Sequence, residues 1–425
     1  MSKFLRDLSS VGLSKGGVIA FGLMKSIIIA RWLGPDLNGT LAALTVYPTL
    51  FMTIGSLGVS QATTYHVGRG NFSIDGIKRA LIHLCVFSSI LSVLSCYFLI
   101  RYLGNTNASD LVVFLAILPI PFSLFITYNS GIFLGKNEIS IYNRINWLPP
   151  FVVLFTTVLF IILFEMKIEG ALIATLTGPF LMAMFLLFKN DFIEFFSLQF
   201  DWGIIKSLLS LGSVYAIALL IINLNYKIDI ILLDRMSSPY ELGIYSKGSQ
   251  LMEYLWQIPM LLSTIIFARS ANAKNGRDFS LKVAQLLRLS IIFIGIASIA
   301  LFVLSDEIIR ILFGEEFIES GLVQKILLPG VLLLTIFKVL NMDLAGKGKP
   351  WISMKAMIPA LFLNIILNYI LIPSRGASGA SIASTISYSI SALLFLYFYA
   401  KEVRLSVYSI LRFSKSDFNF KKIDF

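Results

Sequence analysis

Apolar residues run on in this chain for about 20 positions at a time, the length a helix needs to cross the hydrocarbon core of a bilayer. Twelve such runs are legible, at 11–30, 40–66, 80–100, 111–134, 145–164, 168–188, 206–228, 241–267, 284–304, 322–344, 352–372 and 378–400. Only 14% of the 425 residues are charged, against about 25% in soluble domains, and the mean hydropathy is +0.82. Strands of a membrane barrel would be near 10 residues long and alternate apolar with polar; these runs do not alternate. A helix satisfies its own backbone groups where no water is present. The expectation is therefore an all-α integral membrane protein with twelve transmembrane helices.

The longest polar stretches are 189–205 and the tail 401–425, and neither is long enough for a soluble domain. The first marks the expected boundary between an N-terminal bundle, 1–200, and a C-terminal bundle, 201–425. Lys3 and Arg6 precede the first run, which lacks a small-x-small cleavage pattern, so it reads as a first membrane helix and not as a secretory signal. Cys85 and Cys96 fall on one expected helix about 16 Å apart, too far for a disulfide. With His66 and His83 they offer no metal ligand set, and no cofactor is expected. The chain has no phosphate-gripping Gly-Lys-Ser/Thr loop, no Gly-x-Ser-x-Gly elbow and no His-Glu-x-x-His. An enzyme is not expected, nor one that hydrolyses ATP.

The net charge of +11 would suit nucleic acid, but its placement argues against that partner. With the N-terminus inside, the inward connections and the tail carry 23 Lys and Arg, and the outward connections carry six: Arg31, Arg101, Lys167, Arg235, Arg310 and Arg375. The positive-inside rule then puts both termini in the cytoplasm, as an even number of spans requires. The basic tail after Lys401 is expected to rest near anionic headgroups of the lipid bilayer.

The second half restates the first. Arg31-x3-Pro35-x3-Gly39 recurs as Arg235-x3-Pro239-x3-Gly243, 204 residues on. Gly135-Lys136 recurs as Gly346-Lys347 at an offset of 211, and Gly170-Ala171 as Gly379-Ala380 at 209. The shared order and near-constant offset predict a duplicated six-helix bundle. Because each repeat holds an even number of helices, the axis relating them should run along the membrane normal. That is the organisation of a transporter.

Ionisable groups inside membrane spans are costly, so they are expected to face a cavity or a partner. Here they are Lys25 in the first run, Lys227 and Asp229 in the seventh, Lys247 and Glu253 in the eighth, and Lys338 and Asp343 in the tenth. In the eighth run Lys247, Gln250, Tyr254 and Gln257 follow helical spacing, with Glu253 beside them. Lysines outnumber carboxylates in this set, which predicts a cationic cavity. Ammonium groups suit phosphate, so an anionic substrate group is expected to meet Lys25, Lys227, Lys247 and Lys338. Glu253, Asp229 and Asp343 are expected either to pair with lysines or to bind a coupling ion.

The segment Ile28-Ile-Ala-Arg31-Trp-Leu-Gly34-Pro35-Asp-Leu-Asn-Gly39, followed by Leu57-Gly58-Val-Ser-Gln61-Ala62, resembles bacterial Wzx-type polysaccharide or O-antigen repeat-unit flippases. These belong to the multidrug/oligosaccharidyl-lipid/polysaccharide exporter superfamily. Asp234-Arg235 and Glu241-Leu-Gly243-Ile-Tyr245 are similar to the family's seventh-to-eighth helix junction. The resemblance implies two six-helix bundles in a V shape with a cationic lumen. It implies a carrier in the bacterial inner membrane that moves undecaprenyl-diphosphate-linked glycan to the outer leaflet by alternating access. Polysaccharide polymerase machinery as a partner and H+ or Na+ as a coupling ion go with that reading. The alternatives are a multidrug or metabolite antiporter, whose cationic substrates a lysine-rich interior would repel, and a lipid II flippase, which usually carries two further helices.

Overall fold

The computed structural model describes residues 3–105, 108–136, 138, 146–189, 191–196, 199–271, 276–414 and 417. The basic residues at 144, 274, 415, 421 and 422, counted above, lie outside the described residues. Every regular element among the described residues is helical. In order these are α1 (Lys3–Gly55), α2 (Val59–Arg69), α3 (Ile74–Leu103), α4 (Asp110–Ile117), α5 (Pro119–Gly135) and α6 (Leu148–Thr157). After α6 come a π-helical turn (Val158–Leu163), α7 (Ile168–Lys189), a 3-10 turn (Phe192–Phe195), α8 (Trp202–Met236) and α9 (Pro239–Ala271). The chain then forms α10 (Gly276–Phe313), a second 3-10 turn, α11 (Ser320–Gly346), α12 (Trp351–Val403) and the short α13 (Val407–Leu411).

Among the described residues eight helical segments are long and apolar enough to cross a membrane, and the chain is a multi-pass membrane protein. Two of the eight, Gly16–Arg69 and Trp351–Val403, are more than 50 residues long. Gly16–Arg69 bends at Gly34 (φ 71°) and breaks again between Gly55 and Val59, and Trp351–Val403 bends at Gly376 (φ 49°). The π-helical turn extends α6 into a shorter apolar helix, Leu148–Leu163.

The repeated Arg-x3-Pro-x3-Gly phrase does the same local job twice, by different means. In the second copy α8 stops at Met236 and Pro239 opens α9. Proline suits the first helical position because its missing N–H is not needed there and its φ is already helical. Ser238 accepts from Glu241 N at 3.2 Å, which caps the start of α9. In the first copy a break between two spans is expected, yet α1 continues through it. Only Gly34 leaves the helix, and Pro35 starts the next rod at once. Asn38 Nδ2 donates to the Gly34 carbonyl (2.7 Å) and the Ile29 carbonyl (3.2 Å), groups the bend would leave without partners.

The bend at Gly376 has its own cap. Glu241 Oε2 accepts from Ala377 N at 2.7 Å, so an acid at the start of α9 closes the exposed end of the second rod of α12. Carboxylates are favoured at such N-termini. A side chain at position 376 would collide with that carboxylate. Replacing Glu241 by Ala is expected to cost about 1 kcal/mol, read as a lower melting temperature in detergent. Glu241→Gln should retain part of it, and an unchanged melting temperature in both would contradict the capping role.

The chain divides into two compact units. One is Gly16–Asn223; the other takes the start of α1 and the chain from Leu224 onward. The helix that follows the polar connection, α8, thus begins in one unit and ends in the other. In the first unit α5 lies tightly on α2, where Gly131 and Gly135 leave no room for a Cβ against Ser60, Thr63 and Val67. The connection after α7 is docked there too: Phe192 is buried, its ring 5.2 Å from that of Phe125. Lys78 Nζ stands 4.5 Å from the Phe195 ring, and His83 stacks on Phe200 at 4.1 Å. In the second unit α11 is the most enclosed helix, packed against α9, α10 and α12.

Candidate functional site

Four helices of the second unit, α8, α9, α11 and α12, surround a small recess. Lys227 of α8 and Glu253 of α9 face each other across it, Nζ to Oε1 at 2.6 Å. Both stay partly accessible, with 23% of the lysine side chain and 45% of the glutamate exposed. Aromatic rings share the rest of the wall with Ile230, Met252, Leu327 and Val331. Tyr226 and Trp256 lie 5.4 Å apart, and Tyr388 of α12 meets both at 5.7–5.8 Å. Lys338 of α11 rests its ammonium on this wall, 4.3 Å from the Tyr226 ring centre and 4.2 Å from that of Trp256. An ammonium over aromatic faces is stabilised by the ring quadrupole, which offsets the proximity of a second lysine. Three of the seven ionisable residues singled out from the sequence thus meet at one place.

Asp229 lies one turn along α8 from Tyr226 and is fully buried. Its partners are all neutral. Asn368 Nδ2 donates to Oδ1 at 2.7 Å, while Ser384 Oγ (2.6 Å) and Tyr245 OH (3.1 Å) donate to Oδ2. Asn225, one turn before Asp229, accepts from Ser387 Oγ at 3.0 Å, and its carbonyl accepts from Asn364 at 3.3 Å. Each contributing rod supplies a pair at helical spacing: Asn225 and Asp229 on α8, Asn364 and Asn368 on the first rod of α12, Ser384 and Ser387 on its second. The bend at Gly376 turns both rods of α12 towards one carboxylate. Asn368 Oδ1 is buried with no hydrogen-bond partner among the described residues. This is a nest of hard oxygens around a carboxylate, the donor type that suits a proton or Na+. Sequence reading had found Asp229 but not its neighbours; two asparagines four apart in an apolar run were the available signal.

In the first unit Lys25 of α1 donates to Thr175 Oγ1 of α7 at 3.2 Å. The repeat makes this pair informative. The offset of 204 carries Lys25 onto Asp229, and the offset of 209 carries Thr175 onto Ser384. Equivalent positions in the two repeats therefore hold opposite charges, each bonded to a hydroxyl on the equivalent helix.

Lys247 and Asp343 lie apart from the recess wall. Lys247 is buried on α9, its Nζ 5.6 Å from the centre of the Phe313 ring. Asp343 is buried near the end of α11 and accepts from four groups. Ser270 Oγ reaches Oδ1 at 2.5 Å; Ser280 Oγ, Tyr399 OH and Lys347 Nζ reach Oδ2 at 2.7–2.8 Å. These come from α9, α10, α12 and α11, so one carboxylate ties four helices. Next to this cluster the tail returns to α10. Arg288 holds Asp417 in a bidentate pair at 2.6 and 2.8 Å and also donates to the Ile410 carbonyl at 2.8 Å. Burial alone would raise the Asp417 pKa; the Arg288 guanidinium and the Ser414 N–H together hold it below the usual carboxylate range.

With this geometry in view, comparison with known proteins is specific. The family model described as polysaccharide biosynthesis protein matches residues 28–321. A putative O-antigen transporter of Shigella flexneri is 23% identical over 398 residues, 88% of this chain and 92% of the relative. A capsular polysaccharide biosynthesis protein, CapF, of Staphylococcus aureus is 27% identical over 42% of this chain and 46% of its own length. A probable low-salt glycan biosynthesis flippase, Agl15, of Haloferax volcanii is 31% identical over 26% of this chain. The matches to these last two span about half and about a quarter of the relatives' lengths. Among solved structures, the lipid II flippase MurJ in an inward closed conformation superposes with a TM-score of 0.76 at 14% identity, over 97% of this chain and 95% of that one. An inward-facing multidrug transporter of the MATE family gives 0.69 at 15% identity, over 90% and 94%. These likenesses establish a shared fold.

Proposed function

The chain belongs to the polysaccharide biosynthesis protein family, and on that basis we propose that it is a flippase for lipid-linked glycans. Its substrate is an undecaprenyl-diphosphate-linked oligosaccharide repeat unit, moved from the cytoplasmic to the outer leaflet of the bacterial inner membrane. The observation that carries this reading is the recess lined by Lys227, with Lys338 seated on two of its aromatic rings. Two ammonium groups at such a place suit a group with several anionic oxygens. The likeness to a putative O-antigen transporter along nearly the whole chain supports the same substrate class.

The topology that goes with this function has twelve spans and both termini in the cytoplasm. The bends at Gly34 and Gly376 divide two long segments into two rods each, and Leu148–Leu163 and α9 supply the remaining two. Asp229 is the seat of the coupling cation, H+ or Na+. A cation there would neutralise a buried carboxylate that has no basic partner among its hydrogen bonds, and so change the balance holding α8 to both rods of α12. Alternating exposure of the recess to the two sides then carries the diphosphate and its glycan across.

A second reading, an antiporter of cationic compounds, draws support from the aromatic wall and Glu253. Lys338 already occupies the faces of Tyr226 and Trp256, which ranks this reading lower. Deleting the gene separates the two. Loss of surface polysaccharide with lipid-linked repeat units held on the cytoplasmic leaflet is the expected result, restored by the wild-type gene. Repeat units reaching the outer leaflet at the normal rate would overturn the assignment.

A further inference from the structure

The recess is rich in hydrogen-bond donors and poor in acceptors. Lys227 lines it directly, and Lys338 covers two of its rings. Tyr226 OH and Trp256 Nε1 are buried among its lining residues with no hydrogen-bond partner among the described residues. Buried donors left open are uncommon in native proteins and call for an explanation. The single carboxylate in the lining is Glu253, and it is taken by Lys227 at 2.6 Å. Its side chain is also the more exposed of the two, so it can leave without crossing packed structure.

We propose that Glu253 is a built-in stand-in for the substrate's diphosphate, holding Lys227 until the diphosphate displaces it. This rests on the reading above that the substrate carries such a group. Without Glu253, two ammonium groups would share a low-polarity recess with no counter-charge, an arrangement that is costly when buried. With it, the resting site is balanced. The diphosphate brings more anionic oxygens than a carboxylate, enough to take Lys227, draw Lys338 off its rings and satisfy Tyr226 OH and Trp256 Nε1. Glu253 then swings out towards solvent. No covalent bond changes; one anion exchanges for another.

The test uses full-length protein in nanodiscs, with undecaprenyl diphosphate and undecaprenyl monophosphate as probes. Glu253→Gln removes the competing charge. It is expected to tighten diphosphate binding about fivefold, the equivalent of about 1 kcal/mol at the upper end for a partly exposed ion pair. Monophosphate has to displace the same carboxylate and should tighten by a similar factor. Glu253→Asp, which keeps the charge, should hold the wild-type affinities, and it shows that any change in the Gln variant is not misfolding. Lys227→Ala should weaken both lipids. If Glu253→Gln binds diphosphate no tighter than wild type while Lys227→Ala still weakens it, the stand-in role is wrong and the substrate reading survives. If no form of the protein binds either lipid, the substrate reading falls and this inference with it.

Discussion

Asp343→Ala is expected to destabilise the second unit by about 3–5 kcal/mol, the cost of removing one partner from a buried ion pair. Asp343 is fully buried and accepts from Ser270, Ser280, Tyr399 and Lys347, which belong to four different helices. Alanine leaves three hydroxyls to find other acceptors and Lys347, only 18% exposed, without its counter-charge. The loss should appear as a fall of several degrees in melting temperature in detergent. Asp343→Asn keeps one acceptor oxygen in place and should lose less. A melting temperature within a degree of wild type in the alanine variant would show that the cluster is not what holds these helices.

Asp229→Asn should do the opposite: leave the protein folded and remove transport. The substitution keeps the shape but not the charge. One carboxylate oxygen would become an amide that must donate. Ser384 and Tyr245 approach Oδ2 with hydroxyls that can rotate and accept, so the amide has a place to go. Stability should drop by about 1 kcal/mol, the scale of one altered hydrogen bond. If the carboxylate is the seat of the coupling cation, surface polysaccharide in a strain carrying only this variant should fall at least about tenfold, a change of about 1.4 kcal/mol in the transport step. Polysaccharide at the normal level, with the variant present in the membrane, would remove Asp229 from the mechanism.

Several parts of this picture were legible in the residues alone. Long apolar runs specify helices because a backbone in hydrocarbon has no other way to satisfy its polar groups. The Arg-x3-Pro-x3-Gly phrase located two helix junctions, since proline can start a helix but not sit comfortably inside one. It did not distinguish a bend from a break. That depended on one glycine, Gly34, leaving the helix while its neighbours stayed in it. Cost in the membrane singled out Lys227, Glu253, Asp229 and Lys338. It also singled out Lys247, which lies instead against Phe313, because cost says only that a charge needs a partner or a cavity and not which of them it has.

The sequence by itself determined the class of protein and the charged residues that need an account, because these follow from composition and spacing along one chain. Tertiary structure decided which of those residues meet. Lys227 and Glu253 are 26 positions apart, Asp229 and Asn368 139, and Lys25 and Thr175 150. Hydrogen bonds and ion pairs act over about 3 Å, and periodicity within a helix carries no information about which face of which other helix comes that close. Only the packing of α8, α9, α11 and both rods of α12 brings the diphosphate candidates to one recess and the oxygens around Asp229 to one point.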